Sequence, residues 1–280
     1  MDKLIINPVG GLANRMRAVA AGVALSRKLG VGFPDVEWPV NADLFCGADS
    51  LFDSPELNSH TRNTSASRDL WLYDLPRKKN MYLAGVAQLG RYGLKLTDWD
   101  RLPSFEGAPA ALEEAARSAG RRVLIRSGVA FYPFSRELYR SLFVPRKELS
   151  AAAAERISVG GRRVVGLHIR RTDNEISIRR SPTRLFTEAV EREISADPGV
   201  MFYLASDDAE VKAGFRSRFG SRIIVSDITT ARNTAEGIRE ALTEIAALSG
   251  CARVYGSYWS SFSEAAAMLG DAELIQLKTD

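Results

Sequence analysis

From Val164 onward the chain alternates short apolar runs with amphipathic stretches, and this constrains its fold more than any other feature. Val164–Arg170, Met201–Ala205, Arg222–Val225, Arg253–Tyr255 and Leu274–Leu277 are brief, rich in β-branched or aromatic residues, and bounded by Gly, Asp, Ser or Pro, as buried strands are. Between them lie helical patterns. Ser181 and Pro182 read as an N-cap and first-turn proline, followed by an apolar stripe of Leu185, Phe186, Ala189, Val190 and Ile194. A second helix runs to Phe219, a third spans Thr234–Leu248 with Ile238, Leu242 and Ile245 inward, and a fourth spans Ser260–Leu269. Strict alternation of this kind predicts an α/β domain with a parallel, doubly wound sheet.

In such sheets ligands bind beyond the carboxyl ends of the strands. Polar clusters fall at three of those ends: His168–Asp173, Ser206–Asp208 and Ser257–Ser263. Three separated segments are therefore expected to converge on one crevice. The first reads His168-Ile169-Arg170-Arg171-Thr172-Asp173. Two guanidiniums there suit a doubly charged anion such as a diphosphate, since each presents a planar fork. Strand alternation puts His168 and Arg170 on one face and Arg171 on the other, so the arginines are expected to differ in role. His168 reads as a core histidine hydrogen-bonded to hold a neighbouring loop. Asp208 reads as the N-cap of the next helix, leaving Asp207 free to accept from a ribose or base edge. Adjacent aspartates also suit a metal ion, but the arginines already supply the positive charge a diphosphate needs, so a metal-free site is expected. Ser260 and Ser261 open a helix whose free N–H groups suit phosphate, or they are caps and nothing more.

The first half is less regular. Lys3–Ile6 reads as a strand, Pro8–Gly11 as a turn, and Leu12 onward as a helix closed by Gly30. The segment Gly10-Gly11-Leu12-Ala13-Asn14-Arg15 lacks the Gly-x-Gly-x-x-Gly spacing, which excludes a nicotinamide fingerprint. Asn14, Arg15 and Arg17 crowd the first helical turns, as a solvated face or as part of a site. Residues 31–110 show little periodicity; Asn58–Arg68 reads as a mobile loop, His60 as a solvated residue, and acceptor recognition is expected in this region. Ala110–Ser118 and Glu148–Ile157 read as helices and Arg121–Arg126 as a strand. The Gly160-Gly161 pair places the expected boundary between domains 1–158 and 159–280.

With 280 residues, 45% of them hydrophobic, two domains are affordable. A net charge of +4, scattered rather than clustered, favours acidic ligands such as nucleotides or phospholipid head groups, and leaves peripheral membrane association open. No recognition motif accompanies it, so a nucleic-acid partner is not expected. Cys46 and Cys251 read as buried free thiols. No signal-like opening and no span-length apolar run are evident, and a cytoplasmic location is the expectation.

The motifs together resemble the inverting fucosyltransferases that share His-x-Arg-Arg-x-Asp: the α1,2, α1,6, nodulation and protein O-fucosyltransferases. That motif stands here at His168–Asp173. Gly10-Gly11-Leu12-Ala13-Asn14-Arg15 resembles the family's N-terminal Gly-Gly-Leu-x-Asn loop, and Tyr203-Leu204-Ala205-Ser206-Asp207-Asp208 its Ser-Asp-Asp strand. Leu248-Ser249-Gly250-Cys251 and Ser260-Ser261-Phe262-Ser263 resemble its closing segments. The resemblance implies a GT-B fold, two Rossmann-like domains facing across a cleft, with acceptor on the N-terminal and donor on the C-terminal side. It implies metal-independent, inverting transfer from GDP-fucose to a glycan or glycolipid hydroxyl, with no cofactor. Arg170 would contact the β-phosphate, and His168, Arg171 and Asp173 belong to the same donor motif. Asp207 or Asp208 would read guanosine, and Ser260, Ser261 and Phe262 would hold phosphate or base. Asn14 and Arg15 would reach across to the donor. Glu175, the nearest carboxylate after the motif, is the candidate general base. Thr172-Asp173-Asn174 departs from the α1,2 pattern of Gly-Asp-Tyr and is closer to the α1,6 group.

Overall fold

The computed structural model describes residues 3–73, 82–172, 174–228 and 231–279. They form two compact α/β units: Met1–Val144 with Arg232–Ile238, and Pro145–Ala231 with Arg239–Asp280. The break thus falls before the Glu148–Ile157 helix, which goes with the second unit, and not at residue 158.

The first unit follows the order β1 (Leu4–Pro8), α1 (Leu12–Leu29), β2 (Asp35–Pro39), α2 (Pro55–His60), β3 (Thr61–Thr64), α3 (Ala66–Leu72), α4 (Tyr82–Arg91), β4 (Leu94–Thr97), α5 (Pro109–Ser118), β5 (Val123–Ser127) and α6 (Arg136–Leu142). Its sheet is parallel, ordered β3-β2-β1-β5-β4, with Leu4 beside Val123 and Ile5 beside Asp35. The expected loop at Asn58–Arg68 is instead the end of α2, strand β3 and the start of α3. Thr61-Arg62-Asn63-Thr64 has no strand-like side-chain pattern. It is an edge strand held by backbone pairing to β2, which no local periodicity announces. A buried Arg126–Asp69 ion pair at 2.9 Å joins β5 to α3, and Asn7 Nδ2 donates to the same carboxylate at 3.0 Å.

The second unit contains α7 (Lys147–Arg156), β6 (Val164–Ile169), α8 (Glu175–Arg180), α9 (Thr183–Ala196), β7 (Met201–Ser206), α10 (Ala209–Phe219) and β8 (Ile223–Ile224). There follow α11 (Ala235–Ser249, from Arg239 onward in this unit), β9 (Arg253–Ser257), α12 (Ser261–Leu269) and β10 (Glu273–Leu277). The parallel order is β10-β9-β6-β7-β8, which puts β6 at the centre. All six residues of β6 are buried. Val165, Leu167 and Ile169, which share one face, pack with Phe186, Val190, Phe202 and Leu204 in one core, and Val164, Gly166 and His168 on the other face are buried too, so the strand is covered on both sides. At the opposite end from the site, buried Glu193 accepts from Arg163 at 2.8 Å, Arg253 at 3.1 Å and Tyr255 at 2.8 Å, fastening α9 to the sheet.

Two local expectations change. Pro182, not Ser181, is the N-cap of α9. Ser181 Oγ instead donates to the Leu277 carbonyl and accepts from Tyr258 N, tying together β10 and the segment after β9. The short helix α8 was not anticipated. Both cysteines are buried free thiols, as expected, and burial pushes the Cys251 thiol up to about 12. No helix among the described residues is long and apolar enough to cross a membrane.

Candidate functional site

The site is built where β6 stops. The strand ends at Ile169, and Arg170 begins the loop that follows. Arg170 N donates to Ser257 Oγ at 3.0 Å, at the end of the neighbouring strand β9. On the other side stands Asp207, directly after β7. Its Oδ1 accepts from Arg171 N at 2.7 Å, and its Oδ2 accepts from Thr172 Oγ1 at 2.7 Å and Thr172 N at 3.3 Å. Arg170 Nε lies 3.2 Å from that Oδ2. Burial works to raise the Asp207 carboxyl, but the Thr172 hydroxyl, the Arg170 guanidinium and the two backbone N–H groups outweigh it and hold it below the usual range.

Asp207 is therefore not the free acceptor expected from the sequence. Its oxygens shape the 170–172 loop and orient Arg170. Asp208 is the N-cap of α10, as expected: its Oδ1 accepts from Glu210 N at 2.8 Å and Val211 N at 3.2 Å. The two arginines do differ. The Arg171 guanidinium donates to the Arg170 carbonyl at 2.6 Å, the Ser181 carbonyl at 2.7 Å and Thr183 Oγ1 at 3.0 Å, so it braces the loop from behind.

Helix α12 faces this loop from β9. Gly256 makes that approach possible, because a Cβ there would lie 2.5 Å from Ser263 Oγ and 2.7 Å from Ser263 Cβ. Ser260 is the N-cap, and no side-chain hydroxyl caps the helix. Its first N–H groups and the Ser260 and Ser261 hydroxyls are thus placed as anion donors. Phe262 turns inward and stacks on His168, with ring centroids 4.6 Å apart and planes 15° apart. His168 is buried, and its Nδ1 has no hydrogen-bond partner among the described residues, where the ring is held by packing and not by the expected loop-holding bond through that nitrogen. Burial, with Arg170 and Arg171 nearby, pushes its pKa down to about 3 and keeps the imidazole neutral.

Asn174 caps α8 through Oδ1, which accepts from Ser177 N at 3.0 Å, while its Nδ2 donates to the Trp259 carbonyl at 2.9 Å. Glu175 follows as the exposed first residue of α8. Asp173 lies outside the described residues. Sequence reasoning passed over Trp259, which stands between Ser257 and the start of α12. It is the one non-glycine at positive φ among the described residues, at 57°, which costs about 1–2 kcal/mol. An aromatic directly before a helix N-terminus was the available signal.

The glycine loop belongs to the first unit. Gly10 adopts a φ of +79° that only glycine takes without strain, and the loop leads into α1. Asn14 sits over it with a buried Oδ1 that has no partner among the described residues. Arg15 does not reach outward as expected. It is fully buried, donating to the carbonyls of Gly10 at 2.7 Å and Pro39 and to Asn41 Oδ1 at 3.1 Å, with Trp38 beneath it. Alanine, valine and methionine neighbours on α1 draw the helix face inward, and the arginine serves backbone groups there. Among the described residues no three His, Cys, Asp or Glu come together as a metal-ligand set.

No protein-family model matches the chain, and no curated protein sequence is similar to it. Solved structures are. The NodZ α-1,6-fucosyltransferase soaked with GDP-fucose superposes with a TM-score of 0.60 at 18% identity, over 96% of this chain and 93% of that one. A NodZ fucosyltransferase from Bradyrhizobium gives 0.64 at 17% identity, with the same coverage. POFUT1 in complex with GDP-fucose gives 0.54 at 10% identity, over 99% and 98%. The fold of these structures, two α/β units each with a parallel sheet, is the fold of this chain.

Proposed function

We propose that this chain is an inverting glycosyltransferase that moves fucose from GDP-fucose to a hydroxyl of a glycan or glycolipid. The observation that carries it is Arg170, fixed between Asp207 and Ser257 beside the uncapped start of α12. An arginine fork and a helix N-terminus then meet the charge of a departing diphosphate. GDP-fucose bound to structures of the same fold supports the donor.

In this reading the acceptor oxygen attacks the anomeric carbon from the face opposite the diphosphate. The bond from that carbon to the phosphate oxygen breaks, and its electron pair leaves with GDP. Arg170 and the α12 N–H groups stabilise that charge, with no metal in the step. Ser260 and Ser261 hydrogen-bond the phosphates. The acceptor proton passes to a carboxylate, for which we assign the exposed Glu175. Asp207 and Arg171 position Arg170, and the glycine loop and Asn14 serve the first unit's role in recognition.

The test is incubation with GDP-fucose and a panel of simple glycan acceptors, following GDP release, with Arg170→Lys alongside. Lys keeps the charge and loses the fork. Turnover by the native chain and its collapse in a folded Arg170→Lys variant are the expected results. No GDP release and no donor hydrolysis would refute the function. Equal turnover by the variant would remove Arg170 from its role. GDP binding without turnover would favour the second reading, a nucleotide-binding module on the same fold.

A further inference from the structure

The segment after β9 carries three aromatic residues, Tyr258, Trp259 and Phe262, and they are treated differently. Phe262 is stacked on His168. Tyr258 is covered by two cations, with Arg180 at 5.7 Å and Lys278 at 5.1 Å from its ring. The Trp259 ring lies 6.0 Å from that of Tyr258, tilted by 47°, and still remains 64% exposed.

The backbone that carries it is held on both sides. Trp259 takes a left-handed φ, and bonds fix the chain on either side: Tyr258 N donates to Ser181 Oγ at 2.8 Å, and the Trp259 carbonyl accepts from Asn174 at 2.9 Å. Ser257, two residues back, accepts from Arg170 N, and Ser260, one residue on, stands at the N-cap position of α12 without a side-chain bond to it. A large apolar side chain is thus kept in water, in an unfavourable conformation, at the rim of the anion site. Conformations of this kind persist where surrounding contacts over-determine them, and they cluster at ligand clamps.

We propose that Trp259 is a stacking platform for a sugar ring at the transfer site. The inference rests on the function proposed above. The electron-rich face of an indole attracts the polarised C–H bonds on the apolar face of a pyranose, and the contact excludes water from both. Its main chain is bonded to the segment that follows Arg170 and leads into α12, which is where the proposed function puts the diphosphate and the sugars on either side of the transfer. Both present the same chemistry, and the experiment separates them.

The experiment compares the native chain with Trp259→Ala and Trp259→Phe. Calorimetry gives the affinity for GDP alone. GDP-fucose hydrolysis gives the donor KM without any acceptor. GDP release and direct calorimetry with N-acetylglucosamine- and galactose-terminated oligosaccharides give the acceptor terms. The side chain is exposed, so the melting temperature should not fall in Trp259→Ala. The expected result is GDP affinity unchanged within about twofold, a sugar-dependent KM raised at least ~10-fold, and most of that loss recovered by Trp259→Phe. A rise confined to the donor KM assigns the transferred sugar, and one confined to the oligosaccharide terms assigns the acceptor. Unchanged constants throughout would overturn the proposal. So would an equal loss of affinity for GDP alone, which would make Trp259 a nucleotide contact. Both outcomes leave native turnover intact and so leave the proposed function standing. A native chain that binds neither GDP nor any of the sugars overturns both.

Discussion

His168 and Phe262 stack face to face, 4.6 Å apart, joining the central strand of the second unit to the first turn of α12. The contact fixes the start of that helix relative to the carboxyl end of β6, where Arg170 stands. Two motifs far apart in the chain are thus made into one piece by a ring contact. The imidazole serves here as a flat, neutral packing element.

The first prediction concerns pH. The His168 pKa is about 3 in the folded chain, against about 6.5 when unfolded. Between those values the unfolded state binds the extra proton, so stability rises with pH there and is lost as pH falls from 6.5 toward 3. One such group contributes a slope of at most about 1.4 kcal/mol per pH unit. Denaturant unfolding of the native chain and of His168→Phe, measured from pH 4 to 7, should differ by that slope. Parallel curves would show that His168 does not titrate as stated.

The second concerns Asp207. Its lowered pKa gives stability that is present above the ordinary aspartate value and lost as pH falls through the lower folded value. Asp207→Asn keeps the shape but removes the charge beside Arg170 and one acceptor from the Arg171–Thr172 loop. GDP affinity should fall ~10-fold or more, with the fold retained, since Arg170 loses its orienting partner. Calorimetric titration with GDP and circular dichroism check the two parts. Native affinity in the variant would show that Arg170 is oriented without Asp207.

The third concerns Gly256. Alanine there would place its Cβ within 2.7 Å of Ser263, so α12 must shift from β9. Overpacking of this kind costs about 1–3 kcal/mol. It should lower the melting temperature and weaken GDP binding together, because the displaced helix carries Ser260 and Ser261. Ser263→Ala removes the closer of the two clashing atoms, the Oγ, and should partly restore both when combined with Gly256→Ala. A double variant no better than the single one would place the damage elsewhere.

The second unit was legible in the sequence because its central strands β6 and β7 are buried along their whole length and therefore mostly apolar, while the helices between show one apolar stripe. Binding at the carboxyl ends of a parallel sheet then assigns Arg170, Asp207 and Ser260 to one edge from the sequence alone. The first unit resisted because β3 is a polar edge strand. Its pairing lies in backbone groups that side chains do not advertise.

Side-chain allegiance was decided only by tertiary structure. Sequence marked Arg15, Arg170 and Arg171 as cations of the donor site, and alternation separated Arg170 from Arg171 without saying what either would touch. Packing buries Arg15 on backbone carbonyls, turns Arg171 against Ser181 and Thr183, and holds Arg170 beside Asp207. Likewise Phe262 turned inward and Trp259 outward, three residues apart. The reason is physical. Periodicity reports which face of an element is buried, whereas a polar or aromatic side chain at an element's end goes to whichever partner the neighbouring strand brings within reach.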